Sequence, residues 1–548
     1  MVRMTVIDQY FQTLRHLRPI QIWGRIRLKF TNPKPDISPT PPRRPVFGNF
    51  QPSARRTPSI IAPRQFNFLN KIEDIDKIGW DNPNIGKLWR YNQHYFDDLN
   101  ALKATKRKKW HQSILQDWIK HNPPALGSGW EPYPTSLRIV NWIKYSLSGN
   151  SLTEPCQQSL AIQARWLREH LEWHLLGNHL FANAKALIFA GLWFEGEEAQ
   201  KWLEIGFHIL AREVPEQILP DGGQFELSPM YHALALEDML DIINVSRCYS
   251  EILSAEQQKQ MADWESRIPD MLNWLNTMSH PDGKIAFFND AAFAIAPENS
   301  ELKTYAKRLG ILDLTPPPPV ALLPDGGYAR LSTSNAVLIA DMARIGPDYL
   351  PGHAHADTLS FELSIHGQRV FVNSGTSEYG ISDERLRQRG TSAHNSVVIA
   401  GRNSSEVWSG FRVARRAYPL HAKAYAQGEY LIAKAEHDGY RFLSGKPLHK
   451  RKWMLSSSCL TITDTITNIN HTAKAYYHFH PEVTLKQLSD NSGKIILSNG
   501  KEILWITTGA PVQIITSTWH PEFGVIIPNT CLILPLRDKG ATIKLTWN

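Results

Sequence analysis

The stretch Thr315-Pro316-Pro317-Pro318-Pro319 divides the chain into two textures. Four consecutive prolines lack backbone donors and fix φ, so neither a helix nor a central strand runs through them. Upstream, from about residue 95, apolar residues recur at spacings of three and four; Leu176, Leu180, Ala184, Leu187 and Gly191 form one such stripe. Short breakers (Gly127-Ser128-Gly129, Gly177-Asn178, Pro220-Asp221-Gly222-Gly223, Pro281-Asp282-Gly283) cut this texture into helix-length runs such as 156–175 and 180–194. Downstream the period becomes two. Residues 337–340, 359–365, 370–372, 396–399, 453–462 and 532–534 read as strands, with His366-Gly367 as a hairpin turn. The expected plan is a basic segment and proline-rich arm over 1–64, a helical half over 65–315 and an antiparallel β half over 316–548. A cleft between the two halves is the default place for a ligand.

Composition narrows the class. The chain has 548 residues, 42% hydrophobic and 20% charged, a balance that supports large buried cores. Its 18 tryptophans and 17 tyrosines suit stacking on the C–H faces of sugars as well as core packing. A formal net charge of +8 suits an anionic partner, and no nucleic-acid motif accompanies it, so no nucleic acid is expected. Cys156, Cys248, Cys459 and Cys531 lie far apart with no CxxC pair, against a zinc ribbon or a disulfide scaffold. No window offers 18 uncharged apolar residues, so no transmembrane helix is expected. Arg3, Arg15, Arg18, Arg25 and Arg27 stand among scattered apolar residues without a continuous apolar core of a signal peptide. The expectation is a cytoplasmic or membrane-peripheral protein. Residues 5–30 have two readings: a basic amphipathic helix lying on a membrane, or packing of Tyr10, Phe11, Leu14, Leu17, Ile22 and Trp23 on the body. The second is favoured.

Four constellations could carry chemistry. Pro351-Gly352-His353-Ala354-His355-Ala356-Asp357 places three ionisable groups at a spacing of two; if extended, they share one face, each about 7 Å from the next. Imidazole serves proton transfer or metal ligation, and the segment alone does not choose. Gly177-Asn178-His179 lies at a break just before a helix. In Asp221–His232, Ser228 then Pro229 is a helix start that puts Tyr231 in the first turn, where the dipole favours a phenolate. Ser404–Arg416 gathers Trp408, Phe411, Arg412, Arg415 and Arg416, which suits sugar stacking and capture of carboxylate or sulfate. Asn373 and His394, with His355, make a His–Asn–His metal set conceivable, although Asn is a weak ligand for zinc. His478 and His480 read as structural.

Taken together, these residues resemble the heparinase II/III-like polysaccharide lyases. The matching stretches are LGNHLFAN (176–183), PDGGQFELSPMYH (220–232), GHAHADTLSFE (352–362) and AHNSV (393–397); RYNQHYF (90–96) and EPYPTSLRIVNW (131–142) also look like that family. The resemblance implies an incomplete (α/α) toroid followed by an antiparallel β-sandwich. It implies β-elimination at a uronic acid of an acidic polysaccharide, without an organic cofactor. Asn178 matches the residue that neutralises the uronate carboxylate, with His179 beside it. Tyr231 and His353 match the proton-transfer pair, their acid and base roles open. Glu226, Trp408, Arg412 and Arg415 are candidates for substrate contact. His355, Asn373 and His394 fall where members with one structural zinc carry His, Asp and His, so Asn373 is a departure. The missing signal peptide suggests a role in making or trimming a cell's own exopolysaccharide, although the resemblance leaves a periplasmic place open. A non-catalytic protein that binds or assembles acidic polysaccharide is the alternative.

Overall fold

The computed structural model describes residues 6–31, 33–311, 314–468, 471–537 and 540–548; Arg3 lies outside them. Helices α1 (Val6–Leu14) and α2 (Pro19–Phe30) come first, followed by the proline-rich arm. The arm crosses the C-terminal ends of two helices of the body. Arg44 donates from its backbone to Trp193 O (2.9 Å) and from its guanidinium to Leu192 O (3.1 Å) and Phe194 O (2.8 Å). Phe47 and Gly48 donate to Cys248 O. Helix-end carbonyls thus gain donors, and a cation sits at the negative end of a helix dipole. The arm leads into a small antiparallel sheet, β1 (Ile60–Ala62), β2 (Gln65–Phe68) and β3 (Lys71–Asp74). These strands lie at the end of the arm and the start of the half bounded as 65–315, ahead of the helical texture that begins near residue 95.

The helical half comprises α3 (Ile75–Ile78), α4 (Lys87–Tyr95), α5 (Lys108–His121), α6 (Pro132–Leu147), α7 (Glu154–Glu169), α8 (Gly177–Trp193), α9 (Glu197–Gln217), α10 (Pro229–Cys248), α11 (Ala255–Thr277) and α12 (Asn299–Arg308). These helices form an incomplete toroid. Helix α8 is its pivot. Its sequence is apolar nearly all round, which demands neighbours on every side, and α6, α7, α9 and α10 supply them. Gly191 lets α8 touch α9 backbone to backbone: a Cβ there would stand 2.6 Å from Leu203 N.

After the prolines the pairings between named strands are all antiparallel among the described residues, with one isolated parallel bridge, Gly375 to His520. The first sheet runs in order β4 (Val320–Leu323), β5 (Tyr328–Ser332), β6 (Ala336–Asp341), β7 (Phe361–Ile365), β8 (Gln368–Phe371). His366 (φ 51°) and Gly367 (φ 79°) form the β7–β8 turn, both in the left-handed region that a type I′ hairpin needs. The second layer is an eight-stranded sheet that opens with Pro419–Gln427 and includes Gly540–Thr546. A four-stranded sheet that includes β9 (Val397–Ile399) completes the sandwich. Residues 453–462, read as one strand, are parts of two, His449–Leu455 and Cys459–Ile466, joined through Ser456-Ser457-Ser458.

Strand β6 shows how the halves join. All six of its residues are buried. Leu338 and Ala340 enter the sandwich core with Trp453 and Ile462. Val337 and Ile339 face the other way and pack with Leu227, Trp274 and Phe288 of the helical half. Tyr328 Oη on β5 donates to Leu227 O at 2.6 Å across the same seam.

Candidate active site

The site forms along this seam. Pro351–Asp357 is a loop between β6 and β7, and β7 begins at Phe361 instead of at residue 359. The expectation of one extended face is therefore corrected. What arranges the three polar side chains is a neighbouring segment, Asn289-Asp290. Asp290 N donates to His353 O (2.9 Å), His355 N to Asn289 Oδ1 (3.0 Å), and Asn289 N to Asp357 Oδ2 (2.8 Å). Against this ladder, Asp290 Oδ2 lies 2.9 Å from His353 Nδ1 and Oδ1 lies 2.8 Å from His355 Nε2.

Asp290 is wholly buried, which opposes its charge. The Arg385 guanidinium and the bonds from His353 and His355 overcome that and hold its carboxyl well below the usual carboxylate range. Arg385, on α13 (Asp383–Arg389), grips both carboxylate oxygens, with Nη2 at 2.7 Å from Oδ2. Its guanidinium also lies over Tyr379 (5.0 Å) and Phe411 (5.4 Å). Tyr379 Oη is 2.9 Å from Tyr231 Oη, and the Tyr231 ring stacks on His353 with centroids 3.9 Å apart. His353, Tyr231, Tyr379, Arg385 and Asp290 thus close into a circuit.

Tyr231 is placed as its sequence implied. Ser228 Oγ caps α10 by accepting from Tyr231 N (3.2 Å), and Ser228 also donates to Asp290 O. Its protonation departs from the expected phenolate bias. Burial, then Tyr379 and Asp290, push the phenol well above its ordinary value, so Tyr231 keeps its proton.

Across the site, Leu176 (φ 66°) and Gly177 (φ 55°) turn the chain into α8. A Cβ on Gly177 would meet Leu350 Cδ2 at 2.3 Å and Glu226 Oε1 at 3.1 Å, so a side chain there is strained by its positive φ and must push the Leu350 side chain aside. Asn178 follows in the first helical turn, half-buried, and its amide has no hydrogen-bond partner among the described residues. His179 Nδ1 lies 3.0 Å from Glu172 Oε1; burial opposes its charge, but Glu172 raises its pKa above the ordinary value. Glu226 is buried, with Oε2 unpartnered among the described residues and 3.7 Å from His353 Nε2. Glu226, Tyr231 and His353 therefore meet at one place, with the start of α8, which carries Asn178 and His179, against Glu226.

Trp408, Arg412 and Arg415 do not join them. On the hairpin β10 (Val407–Trp408) and β11 (Arg412–Val413), these side chains are taken up by α1. Tyr10 packs edge-on to Trp408 (5.0 Å), Trp408 Nε1 donates to Thr13 Oγ1 (3.1 Å), Arg412 lies over both aromatic rings, and Arg415 Nη2 pairs with Asp8 (2.5 Å). Only Phe411 at the hairpin tip reaches His353, with centroids 6.4 Å apart.

The expected metal set is also rearranged. Asn373 donates from its amide to Phe287 O (2.8 Å) and Ser360 Oγ (3.3 Å) and accepts from Asn395 N (3.1 Å). Asp357 stands in its place: ligand atoms of His355, Asp357 and His394 lie within 4.8 Å of one another, all buried. His355 Nδ1 faces His394 Nε2 at 3.1 Å, and burial lowers the two imidazoles to about 4 and about 3, so both are neutral. Neutral facing nitrogens beside a carboxylate fit a divalent ion such as zinc. His478 and His480 are structural in setting: the first bonds Ser392 O (2.9 Å), the second packs on Trp519.

A helical toroid closed against an antiparallel sandwich, with Tyr231 and His353 stacked at the seam, defines a class of proteins built from two unlike halves. Residues 62–309 match the heparinase II/III N-terminus and residues 315–547 the heparinase II/III-like C-terminal family, and the chain belongs to the heparinase II/III-like family. It is 29% identical over 392 residues to a heparin-sulfate lyase of Bacteroides stercoris, covering 62% of this chain and 58% of that one. With a heparin-sulfate lyase of Pedobacter heparinus it shares 26% over 379 residues, 62% of this chain and 56% of the relative. The chain thus spans under two thirds of the length of these relatives. A crystal structure of heparinase III superposes with a TM-score of 0.66 at 20% identity over 83% of this chain and 76% of that one, which supports the fold.

Proposed function

We propose that the protein is a polysaccharide lyase that cleaves an acidic polysaccharide at a uronic acid by β-elimination. The observation that carries this reading is the closed circuit around Asp290. An ionised Asp290 accepts from His353 Nδ1–H, which leaves the Nε2 lone pair free to act as base. In the reaction Nε2 takes the C5 proton, the electron pair forms the C4=C5 double bond, and the C4–O bond breaks. Tyr231, a phenol stacked on the same imidazole, gives its proton to the departing oxygen; Tyr379 is placed to stabilise it. The uronate carboxylate sits at the N-terminus of α8, where the free Asn178 amide, the His179 ring and the helix dipole offset its charge and acidify C5. The relatives named as heparin-sulfate lyases support a glycosaminoglycan-like substrate. An ion held by His355, Asp357 and His394 would tie the His353 loop to the β half as a structural element. A place in exopolysaccharide production or turnover is part of this proposal.

The test is to incubate the protein with a panel of uronate polymers and follow the ultraviolet absorbance of unsaturated ends. His353→Ala and Tyr231→Phe should each slow the reaction by about 10²-fold or more. Absorbance that never rises on any polymer, or variants equal to wild type, would overturn the reading; saturable binding without new ends would favour a non-catalytic binder.

A further inference from the structure

The helices α1 and α2 lie outside both matched family regions and have two faces of opposite character. The inner face is knitted to the body. Besides the contacts of Tyr10, Thr13 and Asp8 with the β10–β11 hairpin, Gln21 Nε2 donates to Tyr349 O (3.2 Å), and Arg18 lies 3.7 Å over the Tyr349 ring. Gly24 abuts the His174 backbone so closely that a Cβ would stand 2.8 Å from His174 N. The segment therefore bridges the β half and the toroid beside the catalytic cleft.

The apolar part of the outer face is left exposed among the described residues, and its one contact with an acid is the long pair of Arg27 with Glu169 (3.9 Å). Besides Tyr10, which packs on Trp408, ten exposed large hydrophobic residues fall within residues 6–30, among them Ile7 (82% exposed), Phe11 (61%), Trp23 (62%) and Phe30 (84%). Isolated apolar residues on a surface are ordinary, but such a concentration on one short segment marks an interaction face. The expectation that Phe11, Leu14, Ile22 and Trp23 pack on the body is thereby corrected. The charge that the segment itself brings to the face is of one sign: Arg15, Arg25, Arg27 and Lys29 are exposed, with Glu169 of the body at 3.9 Å from Arg27, and the one acid of the segment, Asp8, is turned inward to Arg415.

We infer that α1 and α2 dock the protein on an anionic lipid surface. Apolar and aromatic side chains fringed by Arg and Lys match the acyl and headgroup layers of such a bilayer. A second copy of the chain matches less well, because a two-fold contact would set the same cations against each other. Docking this way holds the cleft at the bilayer, since the hairpin under α1 carries Phe411 against His353.

The experiment is sedimentation of the full chain with vesicles of phosphatidylcholine alone and of phosphatidylcholine mixed with phosphatidylglycerol. Binding is expected to the mixed vesicles and to weaken in high salt. It should fall by about fivefold for each charge removed in Arg25→Gln, Arg27→Gln and Lys29→Gln. The triple change Phe11→Ser, Trp23→Ser, Ile26→Ser should abolish it with an unchanged melting temperature, because these side chains are exposed. Failure to sediment with the mixed vesicles, equal binding to both vesicles, or equal binding by the apolar triple variant would each overturn the inference. So would a dimer in light scattering that the triple change dissolves without any vesicle binding.

Discussion

An imidazole with one nitrogen tied to a buried carboxylate is a different reagent from a free one. Asp290 fixes both the tautomer and the orientation of His353, and Arg385 keeps Asp290 ionised. Asp290→Asn leaves the shape but removes the acceptor that selects the Nδ1–H form. Turnover should drop by about 10²–10⁴-fold with KM within a few-fold, read from initial rates on the best polymer of the panel. A second check is pH. Tyr231 holds its proton because burial penalises the phenolate, so the alkaline limb of the rate profile should not show a group titrating below the ordinary tyrosine value. An alkaline limb between pH 7 and 9 that disappears in Tyr231→Phe variants with residual activity would contradict that assignment. The place of Tyr231 in the first turn of α10 was legible from its Ser-Pro helix start, whereas the proton-transfer roles of Tyr231 and His353 came only with the family resemblance. Asp290 was not legible. Its partners lie 63 and 95 residues away, and its only trace in the sequence is one acid inside the apolar run 286–293. The bonds of Asn373 to Phe287, Ser360 and Asn395 were not legible, because a position in a motif says nothing about what an amide already bonds.

At the scale of elements, the N-terminus of α8 and strand β7 carry separate tests. Gly177→Ala puts a methyl group 2.3 Å from Leu350 at a positive φ. It should cost about 1–3 kcal/mol in denaturant unfolding and slow turnover further, because the shift falls on Asn178. On β7, burial pushes Glu362 up to about 7 against an ordinary value of 4.5, beside His280 Nε2 at 2.9 Å. A raised folded pKa means stability that is whole below pH 4.5 and lost as pH rises through about 7. The full shift corresponds to about 3 kcal/mol. Unfolding of wild type and Glu362→Gln compared from pH 4.5 to 8 should show wild type losing ground to the variant over that window. A constant difference would show that Glu362 does not titrate there. The period change around the four prolines made the helical and β halves readable. The turn at Ser456-Ser457-Ser458 was not, because it uses hydroxyls where Gly, Pro, Asn or Asp would have announced a break.

At the scale of the molecule, the two halves act as one object because their seam is also the floor of the candidate site. The apolar seam joins Leu227, Trp274 and Phe288 to Tyr328, Val337 and Ile339, and its edges run directly into Ser228 and Asn289-Asp290. A cavity there should be felt by the chemistry, whereas an equal cavity deep in the sandwich should not. Ile339→Ala opens the seam, and Ile462→Ala opens the core between the sheets; both side chains are fully buried. Each should lower stability by about 2–5 kcal/mol. Measured well below both unfolding transitions, Ile339→Ala should also slow turnover, because Asp290 and the Ser228 cap rest on the seam, while Ile462→Ala keeps the wild-type rate. Equal rates in the two variants would mean that the β half positions His353 through the Asn289–Asp357 ladder alone, with the apolar seam contributing adhesion and no alignment.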